Sequence, residues 1–161
     1  MDTQAVQKLR SLMDEAATCM LTTVDFMGSL RSRPMALPKS AMDGHLWFFA
    51  QSNSRLVAEL THRDQVNVCL SRAEGHHYLS ISGRARSVTD ADKVAELWRD
   101  SDTAWFPPGV SEADLQLLKV EVEMAEYWDS PSSAGRLLWG DNNGAPTGKR
   151  HELREHVRLL L

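Results

Sequence analysis

The sequence predicts a mainly β fold with flanking helices, in which six strands in mostly antiparallel pairing close into a small barrel. Short apolar or alternating runs recur at 19–24, 29–37, 45–50, 65–71, 76–88 and 117–128, the pattern of strands. The turns between them are too short for the repeated crossovers that parallel pairing needs. With 161 residues, 42% apolar and 25% charged, the chain is one ordinary globular domain able to bury a core. Closing such strands into a barrel leaves few exposed edges.

Residues 3–17 place Ala5, Val6, Leu9, Leu12, Met13 and Ala16 three and four apart, one face of a helix. Cys19 to Val24 reads as a strand. Asp25-Phe26-Met27-Gly28 then turns the chain, with Gly28 able to take positive φ at little cost. Ser29 to Leu37 pairs back on the first strand. Its alternation is imperfect, and Pro34, which has no N–H to donate, argues for an edge or a ligand-facing position. After an Asp43-Gly44 turn, the aromatic run from His45 to Ala50 suits a pleated, half-buried surface.

Ser52, Asn53 and Ser54 are three candidate N-caps for a helix over 54–62 that turns Leu56, Val57 and Leu60 inward. Two strands follow around Glu74-Gly75. The second alternates Leu79, Ile81, Gly83 and Ala85 against Tyr78, Ser80, Ser82 and Arg84. Thr89, with Asp92 three residues on, starts a helix that ends at Trp98. Pro107-Pro108-Gly109 breaks the chain, and a helical turn at Ser111 leads into the last strand. The chain reads as a single domain over 1–161 with its core at about 3–131. Residues 132–161 form a C-terminal loop and then an amphipathic helix from Lys149, built on Leu153, Val157 and Leu160.

A net charge of −4 makes nucleic acid a poor partner, and no apolar run approaches the roughly 20 residues that span a bilayer. Met1-Asp2-Thr3-Gln4 has neither the basic start nor the apolar stretch of a signal peptide. Cys19 and Cys69 read as small buried hydrophobes, so a reduced, cytoplasmic setting is expected. No metal is expected: His76 and His77 are adjacent in a strand and point to opposite faces, and no Cys-x-x-Cys or His-x-x-x-His pair exists. Residues 143–150 brush against a phosphate-binding Walker loop, but Asn143 replaces its first Gly and Arg150 its Ser or Thr. Neither Gly-x-Gly-x-x-Gly nor Gly-x-Ser-x-Gly occurs. The informative stretch is 47–60, where a strand end, the Ser52-Asn53-Ser54 caps and Arg55 in the first helical turn bring together N–H groups, hydroxyls and a guanidinium. That combination suits a phosphate.

Arg33-Pro34-Met35, Trp47-Phe48-Phe49, Ser54-Arg55-Leu56-Val57 and Tyr78-Leu79-Ser80-Ile81-Ser82-Gly83 follow one another in a familiar order. Glu96-Leu97-Trp98, Ala104-Trp105-Phe106-Pro107 and the run from Ala125 to Pro131 extend it. In this the chain resembles the pyridoxamine 5′-phosphate oxidase-like flavin split barrels, in the branch called general stress proteins, from about residue 3 to 131. The resemblance implies a six-stranded split β-barrel that forms a homodimer, with flavin mononucleotide (FMN) bound between the subunits. Carried over by position, Arg33, Pro34, Met35 and Ala36 run along the flavin, with Arg33 near its polar edge or its phosphate. Phe49 and Ala50 line it, and Ser54 and Arg55 hold the phosphate. Tyr78 reaches in from the partner's long strand, Trp128 closes over the site near the dimer interface, and Trp105 is a looser candidate for the same wall.

Two positions depart from the family pattern. Leu56 stands where Lys is usual and Ala50 where Thr is common, each removing a bond of about 1–3 kcal/mol. The segment after Trp128 also lacks the closely spaced Arg and His that hold substrate phosphate in the oxidase, with Arg136 the only remnant. Two functions of different class fit this reading. One is an FMN-dependent oxidoreductase of unknown substrate; the other is a non-enzymatic flavin or phosphate-ligand binding protein of a stress response. No general acid or base stands out near the motifs, which leans toward binding.

Overall fold

A computed structural model of the chain describes residues 3–14, 16–37, 45–72, 77–129 and 155–160. The elements are α1 (Thr3–Asp14), β1 (Thr18–Val24), β2 (Leu30–Ala36), β3 (His45–Gln51), α2 (Arg55–His62), β4 (Gln65–Arg72), β5 (His77–Val88), α3 (Ala91–Leu97), β6 (Leu115–Asp129) and β7 (Glu155–Leu160). Short 3₁₀ turns stand at Asp100–Trp105 and Glu112–Asp114. The Asp43-Gly44 and Glu74-Gly75 turns, His76, the Walker-like run and the segment containing Ser130 and Arg136 lie outside the described residues.

The six expected strands are present and every pairing is antiparallel, in the order β2-β1-β4-β5-β6-β3, curled into a half-barrel. Strand β6 is long enough to pair with β5 along one edge and, along the other, with β3 over Leu115–Glu121 and then β7 over Met124–Asp129. The expected C-terminal helix is therefore corrected: residues 155–160 are a strand, while 149–154 and 161 lie outside the described residues. Apolar residues at 157, 159 and 160 suit a period of two as well as one of 3.6. Beyond the end of β3, the edge of β6 offers unpaired N–H and C=O groups, and pairing there decides in favour of the strand.

Leu21, Phe48, Val68, Ile81, Leu118 and Ala125 form the fully buried centre, with Met13 at the end of α1 packed onto it. Strand β3 departs from the half-buried expectation, since both of its faces are covered. Leu46, Phe48 and Ala50 enter the main core, whereas Trp47 and Phe49 enter a second cluster with Leu97 of α3 and Leu117. This explains the unbroken apolar run Leu46–Ala50, which a strand covered on one face does not need.

Strand β5 keeps its predicted alternation and shifts register at Ser82/Gly83. A Cβ on Gly83 would overlap the backbone carbonyl of Glu121, so only glycine fits at this shift of register. Of the two cysteines expected to be buried, Cys69 needs correction. They stand on neighbouring paired strands but on opposite faces: Cys19 is buried, while Cys69 is exposed and donates Sγ–H to Asn67 Oδ1 at 2.8 Å. Burial, with a lesser contribution from Cys69, pushes the Cys19 thiol up to about 12.

Candidate functional site

Strands β2 and β3 end the sheet order and are not bonded to each other. The seam between them holds a groove of about 210 Å³. Strand β2 contributes Arg33, Pro34, Met35 and Ala36, and β3 contributes Phe49, Ala50 and Gln51. Ser54 and Leu56 come from the start of α2, and Asp102, Trp105, Phe106 and Pro107 from the 3₁₀ turn and the residues after it. Pro34 thus lies on an edge strand and faces the groove, where its missing N–H leaves no ladder bond unmade.

Local chemistry sets each wall. Ser52 gives both its N–H (2.8 Å) and its hydroxyl (2.7 Å) to the Asp114 carbonyl, which holds the link from β3 to α2. Of the three candidate caps Ser54 is the one used: its Oγ accepts from Val57 N–H at 3.3 Å, which leaves the hydroxyl proton to be donated elsewhere. The aromatic wall is anchored from behind. Trp98 stands edge-on to Phe49 with ring centroids 5.1 Å apart and lies 6.0 Å from Phe106, while Trp105 stays half exposed at the groove. The helix before this wall is capped by Asp90 rather than Thr89, its carboxylate accepting from Lys93 N–H at 2.9 Å.

The imperfect alternation of β2 has a definite cause. In register, Arg31, Arg33 and Met35 oppose Thr23, Leu21 and Cys19, so both arginines sit on the inner face of the sheet. Two buried carboxylates receive them. Glu59 Oε2 accepts from Arg33 Nη2 at 2.7 Å and from Thr23 Oγ1 at 2.7 Å, and its Oε1 accepts from Arg55 Nε at 2.9 Å. Asp25 Oδ1 closes the β1–β2 turn by accepting from Met27 and Ser29 N–H. Its Oδ2 takes Arg31 Nε at 3.0 Å and Arg55 Nη2 at 3.4 Å.

Burial pushes the Glu59 carboxyl up, but hydrogen bonds from Arg33 and Thr23, the charge of Arg33 and the bond from Arg55 together hold it below the ordinary range. Asp25 is held low by the Ser29 N–H first and then by Arg31. Three guanidiniums thus meet two carboxylates in this network, of which Arg33 lines the groove. Arg33 Nη1 is buried without a hydrogen-bond partner.

Eight residues singled out from the sequence as site candidates, Arg33, Pro34, Met35, Ala36, Phe49, Ala50, Ser54 and the looser candidate Trp105, come together in this groove. Arg55 does not line it and is tied to Glu59 and Asp25 instead. Tyr78 and Trp128 face each other in register across β5 and β6, on the side of the sheet opposite the buried Leu79 and Tyr127, and neither lines the groove. Leu56 is buried in the main core with one side on the groove.

Residues 4–152 match the family described as "Pyridoxamine 5'-phosphate oxidase like". The chain belongs to this family. Protein bli-3 of Neurospora crassa is 31% identical over 91% of this chain and 75% of its own length. Among solved structures, the general stress FMN/FAD binding protein of Xanthomonas citri is 28% identical, with a TM-score of 0.65 over 89% of this chain and all (100%) of that one. General stress protein 26 of Bacillus anthracis str. Sterne superposes with a TM-score of 0.67 at 19% identity, over 81% of this chain and 97% of that one, and bears on the fold alone.

For this pyridoxamine 5′-phosphate oxidase-like chain, the sequence reading missed Thr23, Glu59, Gln51 and Asp102 and took Asp25 only as a turn residue. Glu59 carried one legible signal, its place four residues after Arg55 on a helix, where side chains of opposite charge meet. Thr23 and Asp25 carried none, because their partners lie on other elements. No three His, Cys, Asp or Glu side chains among the described residues are grouped to hold a metal ion. No described helix is long and apolar enough to cross a membrane.

Proposed function

We propose that this chain is an FMN-binding protein of the general stress type, which holds the flavin in the β2–β3 groove of one subunit of a homodimer. The observation that carries the reading is the groove itself, where Arg33, whose Nη1 is buried without a partner, stands with Ser54 among apolar walls. A buried donor left unmatched costs about 1–3 kcal/mol, and a phosphate oxygen removes that cost. Ser54 offers its hydroxyl proton at the start of α2, where the helix dipole favours an anion. Arg55 adds positive charge close by. Met35, Ala36, Phe49, Ala50, Trp105 and Phe106 suit a flat ring, with Pro34 beside it.

The bound flavin supplies the redox chemistry, and the protein supplies position and electrostatics. The FMN/FAD-binding relative from Xanthomonas citri supports this choice of ligand. Tyr78 and Trp128 are proposed to enter the partner's site. In support, they share the face away from the core with exposed Met20 and Leu30, and a face of that kind favours being covered. A reducing, cytoplasmic setting accords with two free thiols on opposite faces of the sheet.

Catalytic turnover is the second reading. It is favoured by Asp102, which places a carboxylate in the groove lining. The visible spectrum of the purified protein, recorded after incubation with FMN and gel filtration, tests the binding reading. About one retained flavin per chain supports it, and a colourless protein ends it. Bleaching of the retained flavin by NAD(P)H then separates enzyme from binder.

A further inference from the structure

Glu59 is fully buried on α2 and holds three donors from three elements: Thr23 of β1, Arg33 of β2 and Arg55 of α2. It thereby occupies one edge of each guanidinium. Arg33, which lines the groove, spends Nη2 on Glu59 and Thr23, while its Nη1 is buried without a hydrogen-bond partner. Arg55 spends Nε on Glu59 and Nη2 on Asp25. A long flexible side chain held by one edge presents its remaining donors in a single direction, so less order is lost when an anion binds.

We propose that Glu59 is a positioning residue for anion recognition: without touching the ligand, it sets how the guanidinium of Arg33, which lines the groove, is presented to a phosphate. This rests on the flavin reading for the identity of the ligand, though not for the presence of an anion. Glu59→Gln tests it because the amide keeps the shape of the carboxylate while turning one acceptor into a donor. Whichever way the amide is turned, either Arg55 or the Arg33–Thr23 pair loses its anchor.

Affinities for FMN and for riboflavin, which shares the ring but lacks the phosphate, are to be measured by flavin fluorescence in wild type and Glu59→Gln. Near-ultraviolet circular dichroism reports folding, and thermal protection by inorganic phosphate is followed alongside. In the folded variant FMN affinity falls about ten-fold or more while that of riboflavin stays within about two-fold, so discrimination for the phosphate collapses. A merely structural brace lowers both affinities together, and that result overturns the proposal. So does tighter FMN binding in the variant, which makes Glu59 a competing anion rather than a guide.

If Glu59→Gln does not fold, the isosteric Thr23→Val removes the hydroxyl that bonds to both Arg33 and Glu59. It is expected to lower the ratio of FMN to riboflavin affinity by about three-fold, and an unchanged ratio overturns the proposal. Wild type that is protected by inorganic phosphate but binds no flavin ends the flavin reading alone. The role of Glu59 then stands if Glu59→Gln or Thr23→Val abolishes that protection, and falls if protection persists. Wild type that binds neither probe ends both.

Discussion

Arg33 occupies an inner-face position that an ordinary amphipathic strand gives to an apolar side chain, and it is tolerated there because Glu59 meets it at 2.7 Å. Removing Arg33 leaves the fully buried Glu59 with only Thr23 and the more exposed Arg55 as donors. Arg33→Met is therefore expected to destabilise the fold by roughly 3 kcal/mol, the lower end of the range for buried pairs because Arg33 keeps some contact with water. Chemical denaturation at neutral pH checks this, and a change under about 0.5 kcal/mol would mean the pair does not support the fold.

Acid should act on the same residues. Asp25 and Glu59 both have folded-state values below their ordinary ones, so their contribution to stability is complete above the ordinary carboxylate range and fades as pH falls through the folded values. Denaturation midpoints should hold down to about pH 5 and drop below about pH 4. A midpoint that rises on acidification contradicts this. At the residue scale the sequence revealed most of the groove lining and little of what holds it. Pro34 and Ser54 act through local backbone chemistry, whereas the partners of Arg33 stand 10 and 26 positions away.

Strands were legible where a local period coincided with burial, as in β5, and misread where two periods competed, as at 155–160. Strand β3 shows a third case: its pattern was clear, but cover on the second face depends on α3 and the 3₁₀ turn, which only the tertiary fold brings there. The register shift at Gly83 was not legible either, since a glycine in an inward position also reads as a small core residue. Gly83→Ala is expected to cost about 1–3 kcal/mol, because the new methyl meets the Glu121 backbone rather than a side chain that can move aside. A melting temperature equal to wild type would show that β6 yields at that point.

Half-barrels of this order leave one seam unpaired, and here the seam carries the groove while Tyr78 and Trp128 stand away from it on β5 and β6. The homodimer was expected from the family resemblance, with Trp128 near its interface. Trp128 is only partly exposed, and the exposed large apolar side chains among the described residues are Met27, Leu30, Phe26, Trp105 and Met20, mostly around the β1–β2 hairpin. Light scattering at micromolar concentration should give about twice the chain mass of 18.1 kDa, and a monomer would remove the shared site. The central claim, that an anion seats a flavin at Arg33, is tested most directly by titrating wild type with FMN and with riboflavin. FMN should bind at least about ten-fold more tightly, the worth of one charge-assisted bond. Equal affinities would contradict the account, because the groove would then take the ring without using its phosphate end.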